Sequence, residues 1–187
     1  MKMRIVGGTY RGKQLIAPAG DVTRPTSDRA RESVFNIIDS RLMKAGRQWS
    51  DLSVFDAFAG TGALGIEAVS RGAGVLFAAE RDKTAQQCWY KNTQGLKNVS
   101  LALYSDMLSL PKARQSVGLV LMDPPYKRGL TVPALTELER KGWLDPETLC
   151  VVEVEKSEKD VLPDDFETLD ERVYGKAKII LAVLKNK

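Results

Sequence analysis

The spacing of hydrophobic and polar positions changes along the chain, and the changes mark out its elements. Residues 4–16 carry Gly-Gly and Arg-Gly punctuation between short apolar stretches, the pattern of a short hairpin or an extended arm. Further on, Val34, Phe35, Ile37, Ile38 and Leu42 recur at helical spacing, and Thr26, Ser27 or Asp28 can cap the helix they predict. Residues 44–51 read as a loop. From residue 52 the pattern becomes an alternation. Strands are predicted at 53–59, 74–79, 99–104, 117–122 and 149–154, with helices at 62–71, 83–96 and 132–141. Residues 166–174 and 176–184 form a closing hairpin that turns at Gly175. This alternation predicts an α/β fold, with a mostly parallel sheet and helices on both faces. Residues 1–50 read as an arm and helix packed on a core of 51–187, the whole forming a single domain. Ligands of such sheets bind beyond the carboxyl ends of the strands, where Asp56, Glu80, Asp106 and Asp123 fall.

Composition narrows the chemistry. The chain has 187 residues, 43% hydrophobic and 28% charged, as expected of a soluble globular domain. No apolar run reaches the length of a membrane span, and the basic N-terminus lacks the apolar stretch of a secretory signal. The absence of histidine argues against zinc sites and histidine-based acid–base catalysis, and Cys88 and Cys150 fit no metal-ligand spacing. No metal is expected, and the cytoplasm is the expected setting. Charge is uneven. Residues 1–49 hold ten Lys/Arg against four Asp/Glu, whereas the remaining 138 hold eighteen against twenty. A basic head on a near-neutral body suggests an anionic partner, nucleic acid first among them.

The first strand runs into DAFAGTGALGIEA, where Gly60, Gly62 and Gly65 spell G-x-G-x-x-G between a strand and a helix. Glu80 follows at the end of the second strand, where an acid can accept from ribose hydroxyls. This geometry serves a dinucleotide and S-adenosylmethionine equally well. Asp56 tilts the choice, because its carboxylate before the glycine loop suits an ammonium group and would repel a pyrophosphate. Asp106 could accept from an adenine amino group, although an Asp at that place also serves as a helix cap. Together these positions favour S-adenosylmethionine.

A further stretch, LMDPPYKRG, ends an apolar strand with an acid, two prolines and a tyrosine. Neither proline can donate a ladder hydrogen bond, so the strand must stop in a stiff turn. An amine conjugated to a base or an amide is a poor nucleophile, because its lone pair is delocalised. The Asp123 carboxylate and the Pro124 carbonyl could hold both of its N–H bonds and favour pyramidalisation. Pro125 stiffens the turn, and Tyr126 can stack on a flat substrate.

These motifs, with MRIVGGTYRGKQL and TRPTSDRARESVFNII, resemble the RsmD-type enzymes that methylate a guanine N2 in small-subunit (16S) ribosomal RNA. The resemblance spans essentially the whole chain. It implies the class I methyltransferase fold, Rossmann-like, with seven strands. It also implies S-adenosylmethionine as cofactor, held by Asp56, Phe58, Gly60, Gly62, Glu80, Arg81, Asp106 and Met107. Asp123, Pro124, Pro125 and Tyr126 would form the catalytic loop. Arg4, Arg11, Lys13, Arg24, Arg29, Lys127 and Arg128 would meet RNA, with Arg24, Thr26 and Arg29 near the cleft. For Arg29 and Arg31 the plainer reading is a helix face with local ion pairs to Asp28 or Glu32. A monomer acting on small-subunit RNA, free or within an assembling subunit, is the expected form. DNA amine and protein glutamine methyltransferases share the DPPY chemistry and stay open as alternatives. A dinucleotide oxidoreductase would leave that turn without a role.

Overall fold

Strands covered on both faces need apolar residues at nearly every position, and the central strands have them. In the computed structural model, which describes residues 3–18 and 28–186, β1 is Ser53–Ala57, β2 Val75–Ala79, β3 Ser100–Tyr104, β4 Leu119–Met122 and β5 Leu149–Glu155. All of β4 is buried. The closing hairpin supplies β6 (Phe166–Tyr174) and β7 (Ala177–Leu184). The seven strands lie in the order β3-β2-β1-β4-β5-β7-β6. The first five in that order are parallel, and β7 is antiparallel to both its neighbours. The chain winds from β1 outward to β3 and then returns to the other side of β1. The sheet therefore changes direction between β1 and β4, the place where α/β sheets open a crevice.

Helix α1 (Asp28–Lys44), α2 (Ala63–Arg71) and α3 (Lys83–Thr93) cover one face, packing Phe35, Ile38, Val69 and Trp89 over Val54, Leu119, Leu121 and Val151. Helix α4 (Thr131–Arg140) covers the other, with Met107, Leu110 and Trp143 filling the space beside it. Trp143 stands edge-on to Phe55 and Phe77, at 5.0 and 4.9 Å between ring centroids. The mostly parallel seven-stranded sheet, its flanking helices and the antiparallel hairpin are the predicted architecture.

Several boundaries move. The strand predicted to reach residue 59 stops at Ala57, because Phe58 turns into the left-handed region at φ 61°. The next helix starts at Ala63, after Gly62 at φ 85°. Helix α3 ends at Thr93, earlier than its pattern suggested, and β4 starts at Leu119. A 3-10 turn, Trp49–Asp51, interrupts the expected loop and buries Trp49. The arm is a hairpin held by one bridge, Arg4 to Gln14, and by Ile5 N–H donating to the Lys13 carbonyl at 3.0 Å. Thr26 and Ser27 lie outside the described residues, as does Arg24. Asp28 opens α1, but its carboxylate takes the Arg4 and Arg31 guanidinium groups at 3.0 and 2.8 Å.

Candidate active site

The glycine loop is pinned from two sides. Asp56, at the carboxyl end of β1, is buried, and its Oδ2 accepts from the Gly65 N–H of α2 at 2.8 Å. A Cβ on Gly65 would stand 2.8 Å from that same oxygen, so only glycine lets the helix approach so closely. Glu80, just past β2, accepts from Gly60 N–H at 2.7 Å and from Asp82 N–H at 2.7 Å. A carboxylate has about four acceptor sites, so these bonds leave Glu80 capacity for ribose hydroxyls. Gly60 sits at φ 55° and a Cβ there would meet nothing within 4 Å, whereas one on Gly62 would run into Trp89 at 2.8 Å. Burial, opposed by the Gly65 N–H and aided by Glu80, pushes the Asp56 carboxyl up to about 7. Asp106 accepts from Leu108 N–H at 2.9 Å, so it does shape a turn, and Met107 behind it is buried in the core. Phe58 is half-buried beside the loop, and Arg81 is exposed.

The Asp-Pro-Pro-Tyr turn leaves β4 immediately beside this loop. Asp56 is in register with Leu121, and Met122 with Val152 of β5. Alternation along strands therefore sets Asp56, Asp123 and Glu153 on one side of the sheet, level with its carboxyl ends. Burial raises the Asp123 carboxyl well above the ordinary carboxylate range, and the charges of Glu153 and Asp56 raise it further. Tyr126 donates its hydroxyl to Glu153 Oε1 at 2.6 Å, which ties the aromatic ring down on the turn. Burial and that bond hold the phenol protonated. Lys127 continues the turn at φ 58° and pairs with Glu155 at 2.9 Å. Glu153 is not among the site residues expected from the sequence. Its signal is a lone acid inside the apolar run Val151-Val152-Glu153-Val154, which acquires meaning only once β4 and β5 are aligned.

The chain matches known proteins along nearly all of its length. The family model described as conserved hypothetical protein 95 matches residues 3–183. Ribosomal RNA small subunit methyltransferase D of Escherichia coli K12 is 35% identical over 177 residues, covering 93% of this chain and 86% of that one. The Haemophilus influenzae protein of the same name is 32% identical, with 93% and 90% covered. The chain belongs to this methyltransferase family. The solved structure of the yhhF protein from Escherichia coli agrees, with a TM-score of 0.82 at 33% identity and both chains covered in full. The protein is therefore a class I, S-adenosylmethionine-dependent methyltransferase. The residues beside the glycine loop are compatible with that cofactor. A buried, crowded carboxylate at Asp56 calls for a cation, and the open space over Gly60 admits a ligand against the backbone.

Basic residues of this methyltransferase fall into separate groups. The arm is stitched over α2 and α3. Val6 N–H donates to the buried Glu67, Thr9 N–H to the Ser70 carbonyl, and Asn92 exchanges hydrogen bonds with Ile16. Arg4 is drawn to Asp28 at the start of α1. Arg31 is buried between Asp28 and the Arg4 carbonyl, a structural role that matches the plainer reading of that helix face. Arg29 is exposed and has no ion pair among the described residues, and the same holds for Arg11 and Arg128. Lys13 is half-buried on the hairpin. No helix among the described residues is long and apolar enough to cross a membrane.

Proposed function

We propose that this methyltransferase transfers a methyl group from S-adenosylmethionine to the exocyclic N2 of a guanine in small-subunit ribosomal RNA, acting as a monomer on free RNA or on an assembling subunit. The observation that carries the reading is the DPPY turn, set beside the glycine loop where the sheet reverses. The names and identities of the relatives support the choice of RNA.

The bound cofactor supplies an electrophilic methyl carbon on a sulfonium and leaves as S-adenosylhomocysteine. Asp56 would hold its ammonium group, Glu80 its ribose, and Asp106 with the Met107 amide its adenine, with Phe58, Gly60, Gly62 and Arg81 bordering them. Asp123 and the Pro124 carbonyl accept the two N–H bonds of the target amine and turn its lone pair toward the cleft. Pro125 fixes the direction of that carbonyl, and the Tyr126 ring stacks on the base. Charge that grows on nitrogen meets acceptors already in place, and the raised basicity of Asp123 suits it to take the departing proton.

The test offers cofactor with a labelled methyl group alongside naked ribosomal RNA, small subunits lacking the modification, duplex DNA and bulk protein. N2-methylguanosine from small-subunit RNA is the expected product. Label in adenine or in protein would keep the DPPY chemistry and reject the substrate.

A further inference from the structure

The DPPY turn by itself does not distinguish among amines. Adenine, cytosine, guanine and glutamine all present two N–H bonds to an Asp and a carbonyl. They differ in the neighbouring group. Beside its amine, adenine has an unprotonated N1, cytosine an unprotonated N3 and glutamine a carbonyl, all of them acceptors. Guanine has N1–H, a donor. The group next to Asp123 therefore decides which substrate the cleft can pair.

That group is Glu153. It lies within β5, one residue beyond the register pair of Met122 with Val152, so it is the lateral neighbour of Asp123. It is only 7% exposed and is held at the turn by the Tyr126 hydroxyl at 2.6 Å. When ionised, Asp123 and Glu153 offer adjoining acceptors, which the Pro124 carbonyl extends in the proposed amine-binding role. An edge of consecutive N–H donors satisfies such a row, whereas an acceptor set against a buried carboxylate leaves both groups unpaired. That mismatch costs far more than a lost neutral contact.

We propose that Glu153 is a specificity-determining residue that accepts the N1–H of guanine beside the amine held at Asp123, and so excludes adenine, cytosine and glutamine. This assignment rests on reading the cleft as an amine methyltransferase site. Tyr126 then has a double task, stacking on the base while its hydroxyl keeps the Glu153 carboxylate turned inward.

The experiment uses the full chain, with small-subunit RNA ligated to carry either guanosine or 2-aminopurine at the methylated position. 2-Aminopurine keeps the amine at C2 but has no N1–H. Wild-type enzyme should methylate guanosine roughly 100-fold or more faster in kcat/KM. In Glu153→Gln the carboxamide can turn its NH2 toward an unprotonated N1. Guanosine turnover should fall and 2-aminopurine turnover should rise, bringing the ratio near unity. Tyr126→Phe is the control for a merely structural role. If Glu153 acts only by anchoring the ring, Tyr126→Phe and Glu153→Gln will slow both acceptors alike and leave the ratio unchanged, which overturns the assignment. Equal wild-type rates on the two acceptors overturn it without any variant. Label appearing only in DNA adenine or in protein keeps the amine chemistry but overturns the guanine substrate, and the Glu153 assignment with it.

Discussion

Asp123, the residue proposed to hold the target amine, is kept against its own stability. Burial and the charges of Glu153 and Asp56 all disfavour its ionised form, so the folded protein carries a cost there at neutral pH. Asp123→Ala should lower methyl transfer by about 10²–10³-fold, the loss typical of one preorganised polar group, and leave cofactor affinity within a few-fold. Its melting temperature at pH 8 should equal or exceed that of the wild type. Normal turnover by the variant would remove the mechanism. Asp56 makes a related prediction about pH. Its carboxyl, at about 7, lies above that of the unfolded chain. Between roughly pH 4 and 7 the folded, ligand-free protein thus holds a proton that the unfolded chain has released. Stability from this group is highest in acid and declines as pH rises through that window. Asp56→Asn should flatten the decline in urea midpoints. Cofactor binding should run the opposite way, with affinity climbing up to about tenfold per pH unit toward 7 as the ammonium group displaces the proton. Calorimetry in buffers of different ionisation enthalpy would detect the release, and its absence would place the ammonium elsewhere. Asp56 and Asp123 both stand out in the sequence, because each falls at or near the end of an apolar strand. Glu153 was hidden, because its importance depends on which strand lies beside β5.

At the scale of elements, the alternation of strands and helices was legible because burial on both faces of a parallel sheet leaves long apolar runs. The ends were less so. Phe58 stops β1 by turning to φ 61°, a strained choice for a non-glycine residue that costs about 1–2 kcal/mol and that no apolar pattern encodes. The arm was visible only as glycine punctuation. What fixes it is Asn92, which is 2% exposed, accepts from Ile16 N–H at 2.8 Å and donates to the Ile16 and Thr61 carbonyls at 2.9 Å each. One side chain of α3 thus ties the arm to the glycine loop. Asn92→Ala should cost roughly 1–3 kcal/mol in urea unfolding, because backbone groups lose buried partners. It should also speed proteolytic nicking near Ile16 and weaken the cofactor. An unchanged urea midpoint would mean that the arm is carried by its apolar contacts at Ile5, Leu15 and Ile66 instead.

Across the whole molecule, the uneven charge is what remains to be connected to function. The sequence places an excess of six positive charges in residues 1–49, but the structure spends part of it internally. Arg31 is buried against Asp28 and Arg4 shares that carboxylate, while outside that stretch Lys127 is committed to Glu155. Arg29 and Arg128 are exposed without ion pairs among the described residues, one at the start of α1 and the other just past the DPPY turn. A phosphate contact releases condensed counterions, so binding weakens with salt in proportion to the number of such contacts. Measured against small-subunit RNA over a salt series, Arg29→Glu and Arg128→Glu should each reduce the slope of log affinity against log salt by about 1. Lys127→Ala should change it less, because the lysine must first leave Glu155, although solvent screens an exposed pair of that kind. Cofactor affinity in the absence of RNA should stay the same in all three, which separates a lost RNA contact from a damaged cleft. Slopes unchanged in both arginine variants would move the RNA away from the mouth of the cleft and onto the arm, where Arg11 and Lys13 would carry the phosphates.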